Sequence, residues 1–502
     1  MEDQIAVELK KRLDLESKSK TETEESPEEQ NLIFCRRPLK DVVVIGCGAS
    51  GIAALSKLQE SGLDVVGLEA GDRIGGRIHT TEFAGGVVDI GAAWCHGEEN
   101  NIVYELASPH DLLGKPEGTE EEWFIFSNGT LMPTGNARAV ITEFTDALHA
   151  RGQKEKSISQ FIREDAEKYP IVELGKIPKT KPFIEWYERD NHVGGQDDPK
   201  KGKSINGLHE HKICNGEFWL NWKGKGYKTI LDVLLNKPPY SENLITPDIK
   251  LNKVVTSIKW QLEDEDTKKP YVEVLCEDGT KFAAKTAVIT VSIGVLKESH
   301  KQLFTPALPD VKVKSIDNLQ LCVLDKIYIE FATQWWPSSP ASFKIIWKEE
   351  NKQEFSADEK WITEIYGLRT VEHHPKVLLA WIYGKGAEEM EGKSETEVEA
   401  GVNKLMDKVF SLNFEVSKIV SIKRSQWAKN KFVRGAYSYR SVATEELGGS
   451  ASDLATPLEY NGTPVVYFAG EATSVEHHNA VHGAIETGRE VADKIVKTLP
   501  RN

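Results

Sequence analysis

The sequence predicts an α/β protein: a discontinuous Rossmann-like domain that binds a dinucleotide, joined to an α+β domain. Three observations carry this. Near the start stands "LKDVVVIGCGASGIAALSKLQESGLDVVGLEA", an apolar strand, a glycine turn, a helix and a second strand. Near the end stands "TPVVYFAGE" followed by "NAVHGAIETGREVADKIVKTL", again a strand, a glycine and a helix. The material between is unlike either, so the nucleotide-type signals at the two ends belong to one domain built from separated segments.

Residues 1–38 read as a disordered acidic tail. "ESKSKTETEESPEEQ" is polar, acidic and free of aromatic residues. "IAVELKKRLDL" within it suits a short amphipathic helix. The dinucleotide-binding domain is assigned to 39–110, 221–300 and 450–502. The substrate-binding domain is assigned to 111–220 and 301–449. Helices are expected in "NARAVITEFTDALHARG", "SISQFIREDAEKYPIV" and "SETEVEAGVNKLMDKVFSLN". Strands are expected in "LITPDIKLNKVVTSIKW", "YVEVLCEDGTKFAAKTAVITVSIGVL" and "VLDKIYIEF". "YERDNHVGGQDDPKKGKSINGLHEH" reads as an exposed loop.

Bulk properties exclude several classes. At 502 residues and 39% hydrophobic residues, the chain exceeds one simple core. A net charge of -15 argues against nucleic acid and anionic membrane, and suits a cationic ligand. Six cysteines are scattered with no C-x-x-C pair, so neither a zinc ribbon nor a disulfide scaffold is expected, and a reducing compartment is. No apolar signal core is visible, and no stretch approaches the roughly 20 apolar residues that cross a bilayer. The C-terminal "KTLPRN" is not of the S-K-L type. A cytoplasmic protein is expected, with a monomer and a homodimer both open.

Gly46, Gly48 and Gly51 form G-x-G-x-x-G directly after "VVVI". The first glycine permits the tight turn, the second lets backbone approach a pyrophosphate, and the third lets the helix pack on the strand. Ala49 and Ser50 open that helix, whose N-terminus attracts phosphate. Glu69, followed by Ala70, closes the second strand, where an acid can hold a ribose hydroxyl pair.

"EAGDRIGGRIHT" then places Arg73, Gly75, Gly76 and Arg77 after the ribose acid. This R-x-G-G-R resembles the signature of the flavin-containing amine oxidases, and "VVYFAGEATSVEHHNAVHGAIETGREVADKI" resembles their second motif. The resemblance runs from about residue 40 to 498. It implies the amine oxidase fold and FAD. It implies contacts from Arg77 to the pyrophosphate and flavin, from Glu471 to the ribityl chain, and from Val255 backbone to the adenine. The helix starting near Ala480 and Val481 would aim its positive end at the flavin. Monoamine oxidases attach flavin through a C-terminal cysteine; Cys322 is the last here, so FAD is expected to be non-covalent.

"DIGAAWCHGEENN" supplies Gly91, Ala92, Ala93, Trp94, Cys95 and His96. "GAAWCHG" resembles the animal polyamine and spermine oxidase branch, which implies that Gly91–Trp94 line the flavin and that His96 meets the substrate amine. In an extended segment Cys95 and His96 point to opposite faces, so they do not form a nucleophile–base pair. Lys326 matches the family lysine that holds a water at flavin N5. Strand alternation sets Lys326, Tyr328 and Glu330 against Ile327, Ile329 and Phe331. Tyr437 matches an aromatic that flanks the substrate; Ala480 stands where plant enzymes have its aromatic partner. The implied activity oxidises a secondary amine of spermine, spermidine or their N1-acetyl forms with oxygen. It yields an aminoaldehyde, a shorter amine and hydrogen peroxide.

Other readings remain. A monoamine oxidase fits the same motifs, and an L-amino-acid oxidase would need a carboxylate clamp, for which Arg434 and Arg440 are available. A histone demethylase would need a helical targeting domain and insertion that the sequence lacks. A non-catalytic FAD-binding protein would not need both His96 and Lys326. No metal centre is expected: His477 and His478, adjacent on a polar stretch, read as solvated, and His482 reads as a helix-cap residue.

Overall fold

The first strand, Lys40–Ile45, sits at the middle of the larger sheet because its apolar run has no polar face. Val42 and Val44 pack into the core on one side, and Val43 and Ile45 into the core on the other. The computed structural model describes residues 39–151, 156–168, 171–172, 177–178, 180–194 and 198–499. The acidic tail and its amphipathic stretch lie outside them.

Five parallel strands form the heart of this sheet. Their order is Asp248–Lys250, Val65–Leu68, Lys40–Ile45, Lys281–Ile289 and Thr463–Phe468. The first strand therefore has its sequence successor on one side and a strand over 200 positions away on the other. That change of direction opens a crevice at its carboxyl end, where α/β sheets bind ligands. Val255–Glu263 and Pro270–Cys276 extend the sheet antiparallel beyond Lys281–Ile289. The "DGT" stretch, Asp278–Thr280, makes the turn between the last two, with Gly279 at φ +80°.

Two helices cross over this sheet. The fingerprint helix, Ala49–Glu60, packs on the C-terminal helix, Val481–Thr498. A Cβ at Gly488 would come within 2.3 Å of Ser50 O, so the crossing needs glycine there.

The second sheet has seven described strands, in the order Ile419–Arg424, Leu324–Phe331, His374–Tyr383, Ile365–Val371, Ala341–Ile346, Glu121–Phe126, Leu131–Met132. All neighbours are antiparallel except Ala341–Ile346 with Glu121–Phe126. The alternation read from "LDKIYIEF" holds. Ile327, Ile329 and Phe331 enter a core with helix Glu395–Leu405, while Tyr328 packs on the opposite face with Trp94 and Trp381. Helices Thr134–Arg151 and Ile158–Lys168 stand where expected.

Two local readings are corrected. "VSIGVL" is not strand: Ser292 accepts from Val295 N at 3.2 Å and starts helix Ile293–Leu303. The supposed loop at 187–211 is largely structured. It begins inside helix Lys181–Asp190 and includes helix Ile205–Glu210, and Val193, Ser204 and Ile205 are fully buried. Its polar composition hid the burial because the covering rings come from distant strands. Residues 195–197 lie outside the described set.

Gly488→Val should force the two crossing helices apart, at about 1–3 kcal/mol for overpacking. The urea midpoint checks this; an unchanged midpoint would show that the crossing tolerates a side chain.

Candidate active site

One cavity of about 1670 Å³ runs from the crevice of the first sheet to the face of the second. Its wall includes Gly46, Gly48, Ala49, Ser50, Glu69, Ala70, Arg77, Gly91, Ala92, Ala93, Trp94, His96, Val255, Lys326, Tyr437, Glu471, Ala480 and Val481. Of the cofactor and substrate contacts expected from sequence, Gly51 alone stays behind the wall. A Cβ there would lie 2.0 Å from Gly46 O, so Gly51 serves the close packing of helix on strand.

The crevice end has the chemistry of a dinucleotide cradle. Gly46 sits at φ +97°, and a Cβ would meet Thr290 Oγ1 at 2.8 Å. Gly48 and Gly75 form a backbone bridge. Glu69 accepts from Cys47 N at 2.9 Å and from Gly71 N at 2.8 Å, which pins its carboxylate at the end of the second strand. The fingerprint helix and the C-terminal helix both begin without a side-chain cap, at Gly48 and Ala480. Both N-termini border the cavity and leave N–H donors for an anionic or electron-rich group. These features fit FAD: the first helix end would hold its phosphates, and the second would face its ring system.

Glu471 ties the two motifs together. Arg77 Nη1 donates to its Oε1 at 2.8 Å and to Ala436 O at 3.0 Å. Ser438 Oγ donates to its Oε2 at 2.7 Å, and Asn479 N donates at 2.9 Å. Burial alone would raise this carboxyl; Arg77 and these donors outweigh it and hold it below the usual range.

The "GAAW" segment is clamped through its carbonyls. Lys326 Nζ donates to Asp89 O at 2.9 Å and Gly91 O at 2.6 Å. Tyr328 Oη donates to Asp89 O at 2.8 Å, and Trp427 Nε1 donates to Ile90 O at 3.1 Å. A Cβ on Gly91 would fall 1.9 Å from Arg77 O, so this glycine lets the segment lie on the R-x-G-G-R turn. Lys326 is buried between the Trp94 and Trp381 rings, 5.1 and 5.0 Å from their centroids. Burial pulls its ammonium down to about 7, with Asp89 opposing and Arg369 assisting.

Cys95 and His96 face apart, as the extended reading requires. Cys95 lies in the core, and burial pushes its thiol up to about 12, so it is inert. His96 faces the cavity, stacked on Phe218 at 4.3 Å and edge-on to Trp219 at 5.6 Å. Its Nδ1 lies 2.7 Å from Phe218 O. A carbonyl only accepts, so Nδ1 carries the proton and Nε2 keeps its lone pair in the neutral ring. Burial lowers the His96 pKa, the Phe218 bond opposes, and Lys326 and Arg369 assist.

Several wall residues were not visible from sequence. Arg369 lies 4.3 Å from the Trp219 centroid and 5.1 Å from Trp94, with Nη2 donating to Glu120 at 3.0 Å. His192 bridges Tyr437 Oη and Tyr366 Oη, each at 2.7 Å, and burial then Lys203 push it down to about 3. The one local signal was Gly194 beside it, at φ +66° with a Cβ position 2.9 Å from Tyr439 Oη. Of the two arginines weighed as a carboxylate clamp, Arg440 does not line the cavity and is held by Glu210 and Glu445. Arg434 reaches the cavity beside Glu298, 3.7 Å away. His477 and His478 are both half-buried rather than solvated, and His477 turns inward to Glu486 and His482.

A parallel-sheet crevice with two open helix ends, joined to an aromatic pocket holding a neutral histidine and a buried lysine, defines a flavoprotein oxidase class. The chain belongs to the flavin containing amine oxidoreductase family, whose model matches residues 49–496. It is an FAD-dependent amine oxidase. It is similar to the peroxisomal N(1)-acetyl-spermine/spermidine oxidase of Homo sapiens, with 26% identity over 91% of this chain and 94% of that protein. It is also similar to polyamine oxidase 1 of Zea mays, with 25% identity over 91% and 90%. A redesigned putrescine oxidase shares the fold at TM-score 0.66 and 17% identity, covering 91% of this chain and 99% of that one. No described helix is long and apolar enough to cross a membrane.

His96 is expected to stay a neutral Nδ1–H tautomer at pH 7 and to protonate only below the ordinary histidine pKa of 6.5. Nitrogen NMR of histidine-labelled protein, assigned with His96→Ala, checks this; an imidazolium at pH 7 would overturn it.

Proposed function

We propose that the protein is a polyamine oxidase. In this reading it oxidises a secondary amine of spermine, spermidine or their N1-acetyl forms. One water and one dioxygen are consumed, and an aminoaldehyde, a shorter amine and hydrogen peroxide are released. The observation that carries the reading is the His96 Nε2 lone pair, open to an aromatic pocket beside Lys326. Similarity to the human and maize enzymes supports the substrate class.

The cavity's shape suits a long chain. Tyr328, Leu379, Arg369, Ser342 and Glu122 are register partners in one row across five strands. Four inter-strand steps of ~4.8 Å make that row about 19 Å long, and Arg369, Ser342 and Glu122 from it line the cavity. The partition into a cofactor-binding and a substrate-binding domain is part of the same reading, with one sheet for each ligand. The cytoplasmic placement rests on five described cysteines that are all free thiols. Non-covalent attachment is supported by Cys322, which is fully buried and does not line the cavity.

Bound FAD supplies the acceptor for a hydride from the carbon next to nitrogen and returns the electrons to oxygen. The protein's task is to present that nitrogen unprotonated, because an ammonium has no lone pair to form the imine. Neutral His96 accepts a hydrogen bond or proton from it at Nε2. Arg369 and Lys326 disfavour a second positive charge at the same place. Lys326 spends two donors on Asp89 O and Gly91 O and keeps a third for a water. Trp94 lies against Lys326, and Phe218 and Trp219 lie against His96.

A second reading, an amino-acid oxidase, is favoured by one observation: Arg369 offers a guanidinium in the pocket whose only hydrogen-bond partner among the described residues is Glu120.

Anaerobic bleaching of the purified flavoprotein separates these readings. Spermine or N1-acetylspermine should bleach it, and a simple monoamine or amino acid should not. Bleaching by the amino acid alone would establish the second reading. In a companion test, His96→Ala should lower kcat/KM by about 10²–10⁴-fold with FAD retained, and Cys95→Ala should change it little. Equal losses would mean that the thiol takes part.

A further inference from the structure

We propose that Cys214, His477 and His482 form a binding site for one divalent zinc-class cation on the wall of the cavity. Their ligand atoms, one sulfur and two imidazole nitrogens, all lie within 4.8 Å of one another. Cys214 Sγ is 4.0 Å from His482 Nε2, and the two histidine rings meet at 4.7 Å. A tetrahedral zinc ion with these donors sets ligand–ligand separations of about 3.3–3.6 Å. A bound ion would draw the donors together by about 1 Å.

Backbone fit shows why the three residues meet. Gly97 has φ +87°, and a Cβ there would fall 2.3 Å from Cys214 O. A Cβ at Gly483 would fall 2.0 Å from His477 O. The first glycine lets the Cys214 segment close on the "WCHG" turn. The second lets the His477 backbone lie on the opening turn of the C-terminal helix, above His482. Positions 97, 214 and 477–483 are far apart in sequence, so no metal-type spacing was legible.

The donor set is also oriented. Glu486 Oε2 accepts from His477 Nδ1 at 2.7 Å, which fixes the proton on Nδ1 and turns Nε2 toward the cluster. A carboxylate behind a ligating histidine is the usual second partner of zinc sites. His482 and Glu486 are four residues apart and share one face of their helix. Thiolate with imidazole suits zinc, and excludes calcium and magnesium, which take oxygen donors.

Cys214 and His482 line the cavity, so the fourth coordination position opens into it. A cation there opposes entry of a positively charged substrate. Occupancy therefore raises KM for the amine, reversibly. That consequence alone rests on the amine oxidase reading of the cavity.

Cobalt(II) is the probe, added to the FAD-loaded full chain. The expected result is one equivalent bound, with a thiolate-to-cobalt charge-transfer absorption displaced by zinc. Cys214→Ser should abolish the sulfur band, and Glu486→Gln should weaken binding about 10–100-fold. His477→Gln serves as a second ligand variant should Cys214→Ser fail to fold. Cobalt bound without the sulfur transition, or bound equally by wild type and His477→Gln, would overturn the site. The spectrum needs no amine turnover, so a failure of the oxidase reading leaves it measurable.

Discussion

The buried carboxylate of Glu471 is the constraint on which the active site depends. Its oxygens take hydrogen bonds from Arg77, Ser438 and Asn479. Those donors belong to the R-x-G-G-R turn, the strand that carries Tyr437, and the approach to the C-terminal helix. No shorter covalent path joins them. Removing one partner from a buried ion pair leaves an uncompensated charge and costs about 3–5 kcal/mol. The R-x-G-G-R turn and the C-terminal motif are thus held in register by a charge that has nowhere else to go. Ala436, whose carbonyl also takes Arg77, lies next to Tyr437, so the same pair places the strand Tyr437–Tyr439 against the R-x-G-G-R turn.

From that anchor the second clamp follows. Gly91 rests on the Arg77 carbonyl, so the turn that Glu471 positions also positions the "GAAW" segment. Donors from Lys326, Tyr328 and Trp427 then fix three successive carbonyls of Asp89–Gly91. Lys326 is a member of the second sheet that hydrogen-bonds the end of strand Gly86–Asp89 and the segment after it. Its depressed pKa is a consequence of this position, since burial between two tryptophans disfavours the ammonium and the Asp89 carboxylate opposes this only in part.

How much of this was legible in sequence depends on the range of the interaction. G-x-G-x-x-G is legible because its spacing is local and Gly51 answers to Gly46 O, although Gly46 also meets Thr290 and Gly48 bridges Gly75. The facing of Cys95 and His96 was also local, because period-two alternation decides it. His192 was not, since Tyr437 and Tyr366 bury it from positions 245 and 174 residues away. Nor was Arg369, whose meaning comes from Trp94 and Trp219. Strands Glu121–Phe126, Ala341–Ile346, Ile365–Val371 and His374–Tyr383 went unassigned. Their apolar content is spent on cores at both faces of the second sheet and lacks a glycine fingerprint to mark it.

The charges around the pocket explain how an amine site can contain an arginine. Glu120, Glu122 and Asp190 all line the cavity, yet each has a protein cation nearby: Arg369 at 3.0 Å, Arg138 at 2.7 Å and Lys344 at 3.8 Å. A wall of unpaired carboxylates would hold every nitrogen of a polyamine as ammonium, including the one that must react. Here the wall is compensated, and its local sign varies along the row of strands. The charges that act on His96 are those of Lys326 and Arg369, and neither is anionic. Further across the sheet, Glu122 is paired to an arginine that is itself largely exposed, so solvent weakens the compensation. Under the proposed reading, such a wall would favour a neutral nitrogen near His96 and a charged one farther away. A single molecule meets both demands when its amines are spaced along a chain, which is the chemistry proposed for this cavity.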